Sequence, residues 1–359
     1  MAGPRIYLDH AATTPMVDVA RAAMLRGFDM IGNPSSPHAD GRAARAAIEA
    51  ARDRIKTALG WDHHLIFTSG ATEAAMIALA RGRAAGSVIR SAVEHDAVRR
   101  AAPDAQVAPV QSNGLLAPEA FGALVHATPG AVVAVQHVNS ETGVVQPIAD
   151  ILPVTDVIGG TLFVDCAQSA GKLPLLKADL IAISAHKLGG PPGIGALLVR
   201  DLATLVPSGG QEQGYRGGTE NLPAILGFAA AVEQDPPGDD MPDWVRTQFE
   251  NRIWLDGQIA AEGGCVICGP TRRSPLVASY RMPGRSAAAQ LIGFDRAGIS
   301  VSAGSACSSG SLKPSAVMEA LALRSDEART VIRVSFGRTT TRADVEAFAT
   351  LWREMARAA

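Results

Sequence analysis

The sequence predicts an α/β fold, with a mainly parallel sheet in a large domain and a smaller α+β domain after it. Between residues 65 and 199, short β-branched or aliphatic runs alternate with alanine-rich segments of helical period. This alternation is typical of a sheet whose two faces are covered by helices. The predicted strands are residues 65–68, 87–90, 132–136, 161–165, 180–184 and 195–199, each bounded by turn residues or helices.

A change in composition marks the predicted domain boundary. The segment Asp-Pro-Pro-Gly-Asp-Asp-Met-Pro (residues 235–242) is rich in helix breakers and acidic residues. We place the large domain at residues 14–238 and the small domain at residues 1–13 and 239–359. In the small domain, the pattern predicts helices at residues 244–261, 286–297, 314–323 and 342–357 and strands at residues 266–267, 276–281 and 331–335.

Charge and composition argue against several classes of protein. The 33 basic and 35 acidic side chains give a formal net charge of -2, so the overall balance does not favour nucleic acid as a partner. The first residues lack the apolar run of a signal peptide, and no later apolar stretch is long enough to span a bilayer. The four cysteines are too few for a disulfide scaffold. We therefore expect a cytoplasmic protein with free thiols that binds neither nucleic acid nor membrane.

A candidate phosphate site follows the first predicted strand of the large domain. The segment Thr-Ser-Gly-Ala-Thr-Glu (residues 68–73) opens a predicted helix, so its free backbone N–H groups and hydroxyls face any anion at that helix end. Serine, glycine and threonine are also ordinary capping residues at a helix start. Taken alone, the segment is compatible with either role.

A lysine and a carboxylate each lie directly after an apolar strand. Lys187 ends the segment Ser-Ala-His-Lys and precedes a glycine-rich loop, so it is either a solvated lysine or an amine placed to form a Schiff base with an aldehyde. Asp165 either caps the next helix or keeps a pyridine nitrogen protonated. Gln168 is close enough in sequence to reach a ring hydroxyl, and Ser184 and His186 could contact a phosphate.

A loop of small residues surrounds the last cysteine. Residues 300–311 read Ser-Val-Ser-Ala-Gly-Ser-Ala-Cys-Ser-Ser-Gly-Ser, which predicts a mobile segment at about residues 300–312 with an unobstructed thiol. The Cys307 thiolate could attack a sulfur atom inside a site and then carry a persulfide to an acceptor. Alternatively, Cys307 is simply a small residue in a surface turn.

The pair Cys265 and Cys268 has the spacing of redox and zinc sites. No second cysteine or histidine pair lies nearby in the sequence to complete four zinc ligands. Positions three apart in a strand point to opposite faces, which argues against a shared role. We therefore expect both cysteines, and also Cys166, to be structural, and we expect no metal site.

Together these segments resemble the cysteine desulfurases of the class V aminotransferase family, in their nitrogenase-associated and housekeeping branch. The resemblance covers nearly the whole chain. Its motifs lie at residues 7–15, 32–38, 69–73, 94–98, 137–143, 165–168, 184–187, 216–220, 302–307 and 332–338. It implies fold type I of the pyridoxal-phosphate-dependent transferases, which is aspartate aminotransferase-like, and a homodimer.

The resemblance also implies which residues hold pyridoxal 5'-phosphate. The cofactor-binding residues would be Ala71, Thr72, His95, Asn139, Asp165, Gln168, Ser184, His186, Lys187 and Thr219. Among these, Lys187 would carry the covalent link, Asp165 would pair with the ring nitrogen, and Thr219 would reach the phosphate from the opposite subunit. Ser140 stands where the family often has a second asparagine near the ring hydroxyl, so either Asn139 or Ser140 would fill that role.

The implied activity is the removal of sulfur from L-cysteine, which yields L-alanine and a persulfide. Lys187, Cys307 and His95 would be catalytic, and Arg333 would bind the substrate carboxylate, with Arg338 as a second candidate. The persulfide on Cys307 would pass to an acceptor such as an iron–sulfur scaffold protein, whose identity the sequence does not indicate. A selenocysteine lyase, an aminotransferase for a small amino acid and a silent scaffold in a sulfur-transfer complex are the alternatives. The segment of residues 146–162 is shorter than expected for this branch, and this difference could alter how a partner docks there.

Overall fold

The computed structural model describes residues 5–82, 87–235, 241–304 and 315–358. The strands in these ranges are β1 (Ile6–Tyr7), β2 (His64–Thr68), β3 (Val88–Ser91), β4 (Gln106–Ala108), β5 (Val132–Gln136), β6 (Thr161–Asp165), β7 (Leu180–Ser184), β8 (Gly195–Val199), β9 (Cys265–Val266), β10 (Val277–Arg281), β11 (Ile299–Ser300) and β12 (Val331–Ser335). The α-helices are α1 (Asp18–Phe28), α2 (Ala39–Leu59), α3 (Ala71–Ala75), α4 (Asp96–Ala101), α5 (Pro118–Ala127), α6 (Ile148–Val157), α7 (Leu222–Gln234), α8 (Asp243–Ala261), α9 (Ala287–Arg296), α10 (Ala316–Ala320), α11 (Ser325–Ala328) and α12 (Arg342–Arg357). None of the helices in these ranges is long and apolar enough to cross a membrane.

The central feature is a seven-stranded sheet with the order β2-β8-β7-β6-β5-β3-β4. Strands β7, β6, β5, β3 and β4 are parallel, whereas β8 runs antiparallel to both of its neighbours, β7 and β2. The six strands predicted for this domain are all present, and the mainly parallel sheet is confirmed. The three-residue strand β4 at the edge was not predicted.

Two apolar layers cover the sheet, one on each face. In β2, Leu65 and Phe67 pack in one core cluster, whereas Ile66 packs in the other. In β5, Val133 faces the first cluster and Val132 the second. Because successive side chains of a strand point to opposite faces, a strand buried on both sides needs the unbroken apolar runs that the sequence shows.

A separate core surrounds the antiparallel sheet β12-β10-β9. Its largest members are aromatic, and the rings of Phe294 and Phe348 stack with their centroids 4.6 Å apart. Leu8 also packs in this core, so the first residues of the chain join its C-terminal part. The predicted grouping of residues 1–13 with residues 239–359, and the bounds of both domains, remain predictions.

Short pairings at the N-terminus bring two distant segments to the carboxyl end of the large sheet. Strand β1 pairs in parallel with β11, and Asp9 forms a bridge with Ser335 in β12. Ser302 in turn forms an antiparallel bridge with Arg333. These pairings place Asp9 and Arg333 side by side, next to residues that end the parallel strands.

Candidate functional site

A cavity of about 370 Å³ lies where β5, β6 and β7 end and α3 and α4 begin. Ligand sites in open α/β sheets form outside the carboxyl ends of the strands. The sequence-predicted site residues that line this cavity are Ala71, Thr72, His95, Asp165, Gln168, Ser184, His186, Lys187 and Arg333. The fold thus gathers at one place residues that are up to 262 positions apart (333 minus 71) in the chain.

Lys187 is held on a rigid turn. It ends the 3-10 turn Ala185–Lys187 that follows β7 directly. The backbone of that turn is fixed by hydrogen bonds from Gly190 N to Ala185 O (2.9 Å) and from Thr14 N to His186 O (3.0 Å). A Cβ on Gly190 would lie 2.9 Å from the Cβ of Ala185, so only glycine allows this close return of the chain.

Asp165 and Gln168 present acceptors to the cavity. The buried Asp165 carboxylate accepts a hydrogen bond from the backbone N of Ala167 through Oδ1 (2.9 Å). Gln168 donates through Nε2 to the carbonyl of Ala11 (2.9 Å), which fixes its amide. Its Oε1 atom is buried and has no hydrogen-bond partner among the described residues. Because an unpaired buried acceptor is costly, this atom suits a ligand that supplies a hydroxyl.

The turn before α3 forms the end of the cavity that suits an anion. Gly70 has a φ of 151°, and a Cβ at this position would lie 3.7 Å from Ser184 Oγ. The backbone is braced by Glu73, whose carboxylate accepts from Ser69 N (2.5 Å) and binds Arg216 Nε (3.1 Å). Ala71, Thr72 and Ser184 line this end of the cavity, where backbone N–H groups at the start of α3 and side-chain hydroxyls are of the kind that bind a phosphate.

His95 is the N-cap residue of α4, and this role sets its tautomer. Its Nδ1 accepts a hydrogen bond from the backbone N of Ala97 (3.2 Å). In a neutral ring the proton then lies on Nε2. Burial lowers the pKa of His95, with a further contribution from the Lys187 amine, while the Asp165 carboxylate acts in the opposite direction. The imidazole is therefore a neutral donor at physiological pH.

Arg333 enters the cavity from the small antiparallel sheet. Only 2% of it is exposed. Its Nη2 donates to Asp9 Oδ1 (2.7 Å), and its Nη1 donates to the carbonyl of Ser140 (3.1 Å). The buried Nε has no partner within the described part of the chain. The guanidinium is thus held in place while retaining donors for a carboxylate ligand.

The loop after β5 separates the two residues proposed for the ring hydroxyl. Asn139 is buried and its side chain is engaged by backbone groups: Oδ1 accepts from the N of Thr142 in its own loop (2.8 Å), and Nδ2 donates to the carbonyl of Val93, which lies between β3 and α4 (3.1 Å). Ser140, in contrast, lines the cavity. Of the two, Ser140 has the position from which a side chain could contact a bound ring.

Three other sequence-predicted residues lie outside this cavity or outside the described chain. Thr219 is exposed and does not line it. Arg338 lines a neighbouring cavity, forms an ion pair with Asp235, and lies over the ring of Trp244 at 4.9 Å. Cys307 lies outside the described residues.

The cysteine pair is arranged differently from the strand geometry expected. Strand β9 ends at Val266, and Cys268 lies in the following turn with a φ of 54°. The argument from opposite strand faces was therefore wrong, because the strand is too short to contain both cysteines. Within the described residues, no group of three or more possible metal ligands forms a site.

Sequence reasoning missed three residues that bear on the site: Asp9, Glu141 and Lys172. The first two lie inside recognised motifs but next to residues with more obvious chemistry. Lys172 lies four residues after Gln168. The feature of the sequence that could have pointed to it is a charged residue placed directly between Gly171 and the apolar Leu173. Their partners lie far away in sequence, and only the fold shows them.

Comparisons with known proteins agree with the motifs. A family model described as "Aminotransferase class-V" matches residues 6–348. The chain is 34% identical over 365 residues to a cysteine desulfurase of Gluconacetobacter diazotrophicus, with 95% of this chain and 90% of that protein covered. It is also 34% identical over 363 residues to cysteine desulfurase IscS 1 of Archaeoglobus fulgidus, with 95% and 94% covered.

Solved structures with the same fold cover almost the entire chain. A NifS-like protein from Rickettsia africae superposes with a TM-score of 0.89 at 31% identity, covering 98% of this chain and 99% of that one. A structure described as SspA in complex with cysteine superposes with a TM-score of 0.78 at 29% identity, covering 94% and 100%. The fold class predicted from the sequence is thereby confirmed.

Proposed function

The chain belongs to the class V aminotransferase family, among its cysteine desulfurases, and from this premise we propose that it takes the sulfur of L-cysteine onto Cys307. The overall step breaks the carbon–sulfur bond of the substrate and forms a sulfur–sulfur bond on the enzyme, so that cysteine and a thiol become alanine and a persulfide. The observation that carries this proposal is the convergence of Lys187, Asp165, Gln168 and Arg333 on one cavity.

The cavity fits pyridoxal 5'-phosphate. The unpaired Gln168 Oε1 suits the ring hydroxyl, and the turn at Gly70 with Ser184 and His186 suits the phosphate. Asp165 is the carboxylate available to a ring nitrogen. When bound, this cofactor supplies an aldehyde that links to an amine and a ring that takes up electrons.

The protein's own residues would orient the substrate and move its protons. Arg333 would bind the substrate carboxylate with the donors that Asp9 and Ser140 leave available. His95, neutral and with its proton on Nε2, would act as acid or base close to the substrate. Lys187, once its amine is free, would be a second proton carrier.

The segment that carries Cys307 is anchored beside this cavity at both of its described ends. Before it, Ser302 exchanges backbone hydrogen bonds with Arg333 (3.2 and 2.6 Å). After it, Ser315 Oγ donates to Glu141 Oε2 (2.6 Å), directly beyond the cavity residue Ser140. These anchors support a thiol within reach of a substrate held by Arg333.

The proposal has a direct test with two controls. The purified chain, incubated with pyridoxal phosphate and L-cysteine, should become yellow and release equal amounts of alanine and, with a reductant, sulfide. Cys307→Ser should keep the absorbance of the bound cofactor and lose sulfide release. Retained turnover in that variant would exclude Cys307 as the sulfur carrier, whereas Cys265→Ser should leave turnover unchanged.

The same experiment separates the alternatives. A selenocysteine lyase would act on selenocysteine in preference to cysteine, an aminotransferase would need an oxo acid as second substrate, and a silent scaffold would remain colourless. Replacing Lys187 with alanine should abolish the lysine-linked adduct. If the wild-type chain forms no such adduct with excess pyridoxal phosphate, the proposed function fails.

We further propose a cytoplasmic homodimer that passes its persulfide sulfur to an acceptor protein such as an iron–sulfur scaffold, and that binds neither nucleic acid nor membrane. Thr219 would complete the phosphate site of the opposite subunit. The exposed apolar side chains Leu25, Phe28 and Ile31, on and after α1, support an interface between subunits. Light scattering of the purified chain tests the dimer, and transfer of labelled sulfur to candidate acceptors tests the partner.

A further inference from the structure

Lys172 lies close to the turn that bears Lys187, although the two residues belong to different segments. After β6 the chain turns back through a hydrogen bond from Lys172 N to Ser169 O (3.0 Å). Gly171 has a φ of 70°, and a Cβ at that position would lie 3.6 Å from the Cβ of Leu188. The packing of Gly171 on Leu188 therefore brings the two lysines to neighbouring points of the backbone.

Both lysines line a second cavity, of about 320 Å³, which shares Lys187 with the cofactor site. Only 7% of Lys172 is exposed, and within the described chain its amine forms no ion pair or hydrogen bond. A buried amine without a counter-ion is costly to charge. Burial is the main reason that the pKa of Lys172 falls to about 7, and repulsion from the Lys187 amine adds to it.

Other charged or titratable groups also surround Lys187. They are His10, Asp18 and Arg338 in the second cavity and His95, Asp165, His186 and Arg333 in the first. The two arginines are paired with Asp235 and Asp9. Burial is the main factor that lowers the pKa of all three histidines, which leaves them largely neutral at neutral pH. Lys172 thus differs from the two arginines, because within the described residues it has no carboxylate partner.

We propose that Lys172 is a positioning residue whose positive charge favours the neutral, nucleophilic form of the Lys187 amine. An amine attacks an aldehyde only as the free base, and a neighbouring cation disfavours the ammonium form. Because the two amines interact, their protons are lost in steps that belong to the pair. A charged Lys172 therefore opposes protonation of Lys187 and increases the fraction of that amine that is neutral. The inference rests on the proposed role of Lys187 as the cofactor-bearing amine.

The test measures the reactivity of Lys187 without using enzymatic activity. The full-length chain, freed of cofactor, is treated with trace acetic anhydride from about pH 6 to about pH 11, a range that spans ordinary lysine titration. Mass spectrometry of the peptide then gives acetylation at Lys187 as a function of pH. The variants are Lys172→Met, which removes the charge, and Lys172→Arg, which keeps it. Lys177→Met is the matched control, because Lys177 is exposed and lines neither cavity.

The order of the three apparent pKa values decides the proposal. We expect Lys187 to titrate highest in Lys172→Met, lower in the wild type and lowest in Lys172→Arg. A rise of about one unit in the Met variant would reduce acetylation at neutral pH about tenfold. At the alkaline end of the range, where Lys187 is neutral in every chain, its acetylation should be equal in the wild type and all variants. Unequal acetylation there would show that a substitution had altered the folded structure. Identical titrations in the wild type and both variants would overturn the proposal.

A reciprocal variant keeps the test decisive if Lys172→Met does not fold. In Lys187→Met, the apparent pKa of Lys172 should rise, because the repulsion is mutual, and acetylation of Lys172 near neutral pH should fall. An unchanged titration of Lys172 would equally overturn the proposal. Because neither acetylation titration involves pyridoxal phosphate or cysteine, a negative result in these titrations is distinct from failure of the proposed desulfurase activity.

Discussion

Arg333 is a buried cation whose partners orient it before any ligand arrives. Asp9 neutralises it from the N-terminal segment, and the carbonyl of Ser140 fixes its plane. A planar guanidinium offers several donors in a fixed fork, whereas a lysine amine is a compact point charge. Lysine could keep the ion pair with Asp9 but could not also serve the carbonyl and a ligand carboxylate with the same geometry.

Arg333→Lys should therefore weaken substrate binding more than cofactor binding. We expect the KM for cysteine to rise roughly tenfold, equivalent to about 1.4 kcal/mol, with little change in the cofactor concentration needed for half-saturation. Steady-state kinetics and cofactor absorbance measure the two quantities. Arg246→Lys, an exposed position on α8, is the control. Equal KM values for Arg333→Lys and the wild type would reject Arg333 as the carboxylate-binding residue.

Glu94 precedes His95 and is buried under the site. Its Oε1 accepts from the backbone N of Gln136 (2.8 Å), while its buried Oε2 has no partner among the described residues. Burial raises the pKa of Glu94 well above its ordinary value, and the Asp165 carboxylate adds to that rise. The carboxyl group is thus held in the protonated form over a range of pH where an exposed glutamate is ionised.

Glu94→Gln should stabilise the chain at neutral pH. Between the unfolded and folded pKa values, the folded chain binds one proton more than the unfolded chain, so stability falls as pH rises through that window. The neutral amide removes this dependence. We expect a higher free energy of unfolding for Glu94→Gln at pH 7 than for the wild type, with the gain disappearing near the unfolded value of about 4.3. Denaturant titrations at both pH values measure it, with the exposed Glu250→Gln as control.

At the scale of elements, the loop between β5 and α6 joins the two cores. Gly143 has a φ of 77°, and a Cβ there would lie 2.2 Å from the carbonyl oxygen of Val277 in β10. Its own carbonyl accepts from Ser274 N (2.7 Å). The loop that carries Ser140 and Glu141 can approach β10 only because this residue has no side chain.

Gly143→Ala should destabilise the chain by two additive effects. The left-handed backbone costs about 1–2 kcal/mol for a residue with a Cβ, and the overlap with backbone costs about 1–3 kcal/mol more. Gly159→Ala separates them, because Gly159 has a φ of 62° but no atom within 4 Å of the added Cβ. Chemical denaturation should show the larger loss for Gly143→Ala. Equal losses would mean that the loop moves away from β10 at no cost.

The elements that were predicted correctly are those with strong local patterns. The largely apolar runs of β5, β6, β7 and β8 are recognisable because both of their faces are buried. Strand β4 has three residues, two of them exposed, and β1 and β11 have two each, so their pairing is decided by distant partners. The residues of the site divide in the same way, into those beside strong local patterns and those brought together by distant pairing. Lys187 and Asp165 follow recognisable strands, whereas the contact of Asp9 with Arg333 arises from the pairing of two chain ends.

At the scale of the whole molecule, two neutral histidines lie where the N-terminal and C-terminal parts of the chain meet the large sheet. His10 contacts Thr14 Oγ1 (2.7 Å) and Thr340 Oγ1 (3.4 Å). His137 directly follows β5, and its carbonyl accepts from Gln146 N (2.9 Å). Burial lowers the pKa of each to about 4, assisted by Lys172 for His10 and by Arg272 for His137.

These histidines should make the fold sensitive to acid. Between about pH 4, the folded value, and about pH 6.5, the unfolded value, the unfolded chain binds more protons than the folded chain, so stability falls as pH falls. The contribution of Glu94 to stability changes with pH in the opposite direction over part of this range, and the Glu94→Gln substitution removes that contribution. In that background we expect the Tm to drop on acidification, and His137→Asn to reduce the drop. Both histidines lie between the cores. A Tm that is independent of pH in this window would therefore mean that the junction between the cores opens, and hydrates the histidines, before the cores unfold.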